Sequence, residues 1–236
     1  MSELVEIRVI GFGMGPDQVT PEAAAALRGC DYVIAADKGH EDDKLAVRRA
    51  ICAGAGVELV VLVDPERDRS GDYAAGVRAW HEARVAAYRA VLEERGGTAG
   101  LLVWGDPSLY DSTIRVVERL TDDFTVVPGI SAPQQLAAAH RMVLHEVGQP
   151  VLVTTERRLP EAVAGGATNI VVMLTSGFSP VGVDDWQVWW GANLGTSSAR
   201  IASGRVGEVA DTIRRVRAEA RAVAGWVMDI YLLRAP

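Results

Sequence analysis

Leu4-Val5-Glu6-Ile7-Arg8-Val9-Ile10-Gly11-Phe12-Gly13-Met14-Gly15-Pro16-Asp17-Gln18-Val19-Thr20-Pro21-Glu22 contains, in one line, the unit from which the first half of the chain is built. Leu4 to Ile10 is rich in branched apolar residues and predicts a buried strand. Glycines end it. Thr20-Pro21-Glu22 then opens a helix: Thr20 is the N-cap, Pro21 suits the first turn, and Glu22 is favourable at the positive end of the helix dipole. Strand, glycine turn and helix in succession build a mostly parallel sheet. The pattern recurs as strand Tyr32 to Ala36, helix Asp43 to Cys52 and strand Val57 to Val63. A long helix, Tyr73 to Arg95, is stopped by Gly96-Gly97. Strand Leu101 to Trp104, helix Ser112 to Leu120 and strand Phe124 to Val127 follow, closed by Pro128-Gly129.

Beyond that point the texture changes. A helix is predicted over Pro133 to Val147, then strands at Val151 to Thr154, Ile170 to Leu174 and Gln187 to Trp190. The Ala/Gly-enriched stretch Ala162 to Ala167 reads as a loop. Val209 to Val223 is an amphipathic helix, with Val209, Ile213, Val216, Ala220 and Val223 on one stripe. Trp226 to Leu233 closes the chain as a strand. The expected fold class is α/β, in two α/β domains: residues 1–128 and 129–236.

The 236 residues are 49% apolar with a formal net charge of −7. A sizeable core is available. The acidic balance argues against a nucleic-acid partner, because such binding relies on Lys and Arg neutralising phosphates. Glu3, Glu6 and Arg8 interrupt the first apolar stretch, so no signal peptide is read there, and no run is long enough to span a membrane. Cys30 and Cys52 stand in neither a metal-ligand nor a redox spacing and read as buried thiols in a reducing cytoplasm. No His/Cys cluster calls for a metal.

Three turns at strand ends carry the functional signal, since ligands of α/β folds bind at the carboxyl ends of strands. The loop Gly11 to Asp17 lacks the G-x-G-x-x-G spacing of a dinucleotide site, which leaves a dehydrogenase as the weakest reading. A plain strand-to-helix turn explains it as well as a ligand loop does. Trp104-Gly105-Asp106-Pro107-Ser108-Leu109-Tyr110 follows a strand and equally fits a type I turn with Pro107 in its favoured second place. Val127-Pro128-Gly129-Ile130-Ser131-Ala132 opens a helix with Ser131 as cap. On the helix Tyr73 to Arg95, His81 and Arg84 fall inside the apolar stripe rather than opposite it. Inward ionisable groups need partners, so Arg84 either pairs with a buried carboxylate or borders a cleft. His140 aligns with Leu136, Val143 and Val147 and reads more simply as a core histidine.

Taken in order, the glycine loop, Gly105-Asp106-Pro107 with Tyr110, and Pro128-Gly129-Ile130-Ser131 resemble the tetrapyrrole methylase family. Ile170-Val171-Val172-Met173 and Gly191-Ala192-Asn193-Leu194-Gly195-Thr196 fit the same likeness, which spans essentially the whole chain. Met14, Ala36-Asp37-Lys38-Gly39, Asp64 to Arg69, Trp80-His81-Glu82-Ala83-Arg84 and Trp190-Gly191-Ala192 are similar to the branch that methylates carbon 1 of precorrin-5 and releases acetate. Met14 departs from the proline most relatives carry, the first loop is shorter than usual, Trp104 replaces a small residue, and Asn193 stands where an aromatic is common.

The resemblance implies two α/β domains with a cofactor cleft between them, the first domain on the substrate side and the second on the cofactor side. It implies S-adenosylmethionine as methyl donor, giving S-adenosylhomocysteine. The donor contacts carried over are Met14, Trp104, Gly105, Asp106, Leu109, Ser131, Ala132, Met173, Leu194 and Gly195. A polyanionic tetrapyrrole would meet Asp37, Lys38, Arg67, Arg69 and Arg84, arginine being suited to bidentate carboxylate contact. Tyr110 and His81 are the candidate catalytic groups, ahead of Asp37 and Asp106. A homodimer without membrane attachment is expected. Another branch of the family, acting on a different corrin carbon or on uroporphyrinogen, and a degenerate binding protein are the alternatives.

Overall fold

The computed structural model describes residues 6–37, 43–65 and 73–236. The chain divides into two compact units, Met1–Ile130 and Ser131–Pro236. In the first, β1 (Glu6–Gly11), β2 (Tyr32–Asp37), β3 (Glu58–Val63), β4 (Thr98–Val103) and β5 (Phe124–Val127) form one sheet in the order β3-β2-β4-β1-β5. Every pairing in it is parallel. Helices α1 (Pro21–Arg28), α2 (Asp43–Ala55), α3 (Tyr73–Arg95) and α4 (Thr113–Val117) connect the strands. Successive side chains of a strand point to opposite faces. On β1, Ile7 and Val9 therefore join Val91 and Leu92 of α3 and Val117 of α4. Ile10 joins Leu27 of α1 and Ile51 of α2 on the other face. Burial on both faces is why these strands read as continuous apolar runs. Thr20 caps α1 as its sequence predicts, its hydroxyl accepting from the Ala23 N–H at 3.1 Å.

The second unit is a mixed sheet. It contains α5 (Ala132–His140), β6 (Leu152–Thr155), α6 (Leu159–Ala164), β7 (Asn169–Met173), β8 (Gln187–Ala192), β9 (Arg200–Arg205), α7 (Val206–Ala224) and β10 (Asp229–Arg234). The strand order is β6-β7-β10-β8-β9, with β6 and β7 parallel and the remaining pairs antiparallel. Ile213 and Ala220 of α7 are fully buried on one sheet face with Trp190 and Tyr231. Leu136 of α5 covers the other face with Val171 and Leu232. Among the described residues no helix is long and apolar enough to cross a membrane.

Three local expectations are corrected. The helix predicted over Pro133 to Val147 stops at His140, because Arg141 turns left-handed with φ 53°. Met142 and Leu144 still pack on the sheet, so their helical spacing reports burial rather than helix. The expected loop Ala162 to Ala167 begins inside α6, which Gly165 terminates. Strand β9 was not anticipated. Its residues alternate half-buried and exposed and carry no apolar run, so pairing with β8 makes it a strand, not its own pattern.

In the first unit the ends of three adjacent strands, β4, β1 and β5, meet backbone to backbone. Gly13 and Gly105 form an isolated antiparallel bridge, with Gly105 N–H donating to the Gly13 carbonyl at 2.8 Å. A Cβ on Gly11 would stand 2.6 Å from Gly129 N and 2.8 Å from Gly105 O. One on Gly129 would stand 2.1 Å from Gly105 O and 2.8 Å from the Gly11 carbonyl carbon. These are main-chain atoms of neighbouring turns and cannot rotate away. Gly129→Ala is expected to destabilise the protein by about 1–3 kcal/mol through overpacking. Gly54→Ala in α2, where nothing lies within 4 Å of the new carbon, is expected to be neutral or stabilising by roughly 0.5–1 kcal/mol. Urea titration of both variants checks the contrast.

Candidate functional site

Asp106 ties the second turn of this junction to the third. Its Oδ2 accepts from Gly129 N–H at 3.0 Å, and its Oδ1 accepts from the Ser108 N–H at 2.9 Å and from the Ser108 hydroxyl. Burial opposes ionisation of the carboxyl. The bonds from Ser108 and Gly129 outweigh it and hold the group below the ordinary aspartate value. Around Asp106 stand the other residues singled out in this unit. Met14 is buried, with its N–H donating to Gln18 Oε1 at 3.0 Å. Trp104 is half-buried and packs edge-on to Phe12, ring centroids 5.1 Å apart. Leu109 N–H donates to the Asp106 carbonyl at 3.2 Å. Tyr110 is 45% exposed and left-handed, with φ 50°. Non-glycine residues held in that region store strain and recur at ligand sites.

Of the predicted substrate residues, Arg84 of α3 pairs with Asp64, just after β3. Arg84 makes a bidentate pair with Asp64, Nε to Oδ1 at 2.6 Å and Nη2 to Oδ2 at 3.0 Å. Its guanidinium also lies over the Trp80 ring at 4.2 Å, and Trp80 Nε1 donates to the Pro65 carbonyl at 2.9 Å. The side chains of Arg84 and Asp64 are 13% and 8% exposed, so the inward arginine of the α3 stripe is met by a largely buried carboxylate. His81 stacks edge-on to Trp80, centroids 5.0 Å apart. Burial, followed by the charges of Arg115, Arg84 and Arg119, pushes its pKa down. Asp37 ends β2, and its carbonyl accepts from Asp64 N–H at 2.8 Å. Lys38, Arg67 and Arg69 lie outside the described residues. His140 is tied through Nε2 to the Trp190 carbonyl at 2.9 Å, the satisfied histidine its position on α5 predicts.

In the second unit Ser131 begins α5. Its N–H and hydroxyl both reach Gln134 Oε1 at 2.8 Å, and Ala132 is the first helical residue. Met173 ends β7 and Leu194-Gly195 follows β8. Both strands run the same way, one on each side of β10, so these turns share one sheet edge about 10 Å apart, two strand spacings. The Leu194 side chain is buried against Gly191 and clusters with Leu232. Met173 is half-buried, and Leu174 is 64% exposed at φ 53°.

Sequence reasoning passed over the residues that hold this edge. Asp229, with its side chain fully buried, accepts from the Thr175 hydroxyl, from Trp190 Nε1 at 3.1 Å and from Arg217 Nε at 2.9 Å. Glu156 accepts from Ser176 N–H at 2.6 Å and its hydroxyl at 2.7 Å. An aspartate opening an apolar strand was the one available signal. Among the described residues no group of three or more His, Cys, Asp or Glu side chains could hold a metal ion.

The Asp106 clamp has a pH signature. A carboxyl held below its unfolded value stabilises the fold above that value and loses the contribution as pH falls through the folded one. The stability difference between wild type and Asp106→Asn should therefore be constant near neutrality and shrink as pH drops below 3.8, the ordinary aspartate value. Urea titrations of both proteins across acid pH measure it.

Comparison with known proteins places this geometry. The family model described as Tetrapyrrole (Corrin/Porphyrin) Methylases matches residues 6–210. A precorrin-6A synthase (deacetylating) of Sinorhizobium sp is 43% identical over 249 residues, covering 97% of this chain and 95% of the relative. The crystal structure of a cobalamin synthesis related protein (CobF) from Corynebacterium diphtheriae superposes with a TM-score of 0.84 at 35% identity over 98% of both chains. A uroporphyrin-III C-methyl transferase from Thermus thermophilus, complexed with S-adenyl homocysteine, shares the fold with a TM-score of 0.60 at 17% identity over 97% of both chains. With its family match and its three joined strand-end turns, this chain belongs to the tetrapyrrole (corrin/porphyrin) methylase family.

Proposed function

We propose that this protein is an S-adenosylmethionine-dependent C-methyltransferase of corrin biosynthesis that methylates precorrin-5 at carbon 1 and releases acetate, giving precorrin-6A. The observation that carries this reading is near full-length identity of 43% to a precorrin-6A synthase. The sheet edge of the second unit fits a nucleoside-bearing donor. Exposed Leu174 and half-buried Met173 offer apolar surface, and the backbone of half-buried Gly195 offers polar groups, the mix typical of cofactor sites. In the first unit, the junction of Gly11, Gly105 and Gly129 is a rigid base from which Met14, Trp104 and Leu109 act as further donor contacts.

The donor's sulfonium is already activated, so transfer to an electron-rich ring carbon needs alignment more than acid–base chemistry. A dry, mostly apolar site favours a reaction in which charge is lost. Acetate release needs a group that polarises an acetyl carbonyl or orients water. Asp106 is spent on the junction and is a weak base. Tyr110 stands half-exposed beside it and is the hydrogen-bonding group of choice. His81, whose pKa burial and the neighbouring arginines push down, is the candidate proton acceptor. Of the proposed substrate contacts, Lys38, Arg67 and Arg69 suit the propionate and acetate arms; Arg84 is already paired with Asp64, and Asp37, itself an anion, would meet an uncharged part of the ring. The buried thiols of Cys30 and Cys52, both pushed up to about 11 by burial, suit a reducing cytoplasm, and the family likeness supports a homodimer.

Incubation with precorrin-5 and S-adenosylmethionine should give a product that has gained one methyl and lost its acetyl unit by mass spectrometry, with free acetate formed. Methylation of uroporphyrinogen instead would move the chain to another branch of the family. Tyr110→Phe should slow acetate formation by about tenfold or more, and wild-type rates for both steps would remove Tyr110 from the mechanism.

A further inference from the structure

Asn193 is enclosed at the sheet edge of the second unit, with 1% exposure. It stands where β8 gives way to the Leu194-Gly195 turn, in a left-handed conformation with φ 48°. Asparagine tolerates that region better than branched or bulky residues do. Every polar group of its side chain is used. Oδ1 accepts from Met228 N–H at 2.9 Å, and Nδ2 donates to Ser198 Oγ at 3.1 Å and to the Trp226 carbonyl at 3.3 Å. Its main chain adds to this. Asn193 N–H donates to the Met228 carbonyl at 2.9 Å, and its own carbonyl accepts from the Thr196 N–H at 3.1 Å and hydroxyl at 2.8 Å. One residue thus joins three segments: the end of β8, the turn through Ser198, and the chain entering β10. The next side chain, Leu194, is locked in the core. The Leu194-Gly195 backbone is therefore held from both sides before any ligand arrives.

We infer that Asn193 is a positioning residue for methyl-donor binding: by stapling the turn after β8 to the segment before β10, it pre-sets the Leu194-Gly195 backbone in its binding conformation. The inference rests on the proposed function, which assigns that turn to the donor. A turn already ordered loses little conformational freedom on binding. Loosening it weakens donor affinity while the reacting groups stay unchanged. The effect should fall on the Kd and KM for the donor and spare kcat at donor saturation.

Asn193→Gly tests this, because glycine keeps the left-handed backbone and removes only the side-chain bonds. Calorimetry with S-adenosylhomocysteine should show Kd raised by about tenfold or more, the scale set by leaving buried polar groups unpaired. The kcat at saturating donor should stay within about twofold. Ser198→Ala removes one of the acceptors and should raise Kd in the same direction by less, which keeps the test open if the glycine variant folds poorly. The control is Asn169→Ala, at the opposite edge of the same sheet. Asn169 Nδ2 donates to the Leu144 carbonyl at 2.9 Å and Oδ1 accepts from Arg234 Nε at 3.2 Å. That variant should lower Tm and leave Kd alone. Unchanged Kd in Asn193→Gly, or an equal rise in Asn169→Ala, overturns the positioning role while the donor reading stands. Absence of S-adenosylhomocysteine binding by the wild-type protein overturns the donor reading and the positioning role together.

Discussion

The close approach of three backbones, at Gly11, Gly105 and Gly129, is the constraint on which the first unit depends. Adjacent strands of a sheet lie about 4.8 Å apart. When β4, β1 and β5 end together, their outgoing chains must either splay or touch. Here they touch, and a single methyl group on Gly129 would fall 2.1 Å from a neighbouring carbonyl. Asp106 accepts the Gly129 N–H, and two donors from Ser108 join it in holding the carboxyl below the ordinary aspartate value. Glycine in these turns thus serves the packing of protein on protein, and whatever the turns present to a ligand is presented by a platform with little freedom to move.

The second unit meets the same demand by other means. Its edge turns carry left-handed residues that are not glycine, Leu174 and Asn193, and such residues persist only where their surroundings hold them. The surroundings are two fully bonded polar side chains. Asp229 connects Thr175, Trp190 and Arg217, and Asn193 connects Ser198, Trp226 and Met228. Breaking a buried network of this kind is costly because each abandoned group has lost its water as well as its partner. The first unit thus combines absent side chains with the Asp106 tie, and the second relies on satisfied polar side chains, to hold strand-end turns.

The parallel first sheet was readable because its signals are local. Branched apolar runs of a few residues, followed by turns and helices, fix strand and helix without knowledge of what packs on them. Thr20 at α1 and Ser131 at α5 are capping residues that any α/β reading would place. The candidate site was readable as motifs and their order, which carried the family likeness. What each residue does was less readable. Asp106 in a turn after a strand looks like a ligand contact or a base until its three hydrogen bonds are seen. Arg84 on the apolar stripe of α3 left two possibilities open, and Asp64, twenty residues earlier, supplies the partner.

By itself the sequence determined the strand–helix alternation of the first unit, the α/β class, the strand ends at which the glycine turns stand and the caps that start two helices, because each depends on residues within a few positions of one another. Only the tertiary structure decided which partner each polar group takes. Asn193 finds Met228 thirty-five residues away, β9 becomes a strand because β8 lies beside it, and α5 stops at His140 although its apolar spacing continues. In each case the deciding atoms come from distant parts of the chain, and local propensities of a few tenths of a kcal/mol, roughly, yield to burial and hydrogen bonding worth about ten times more.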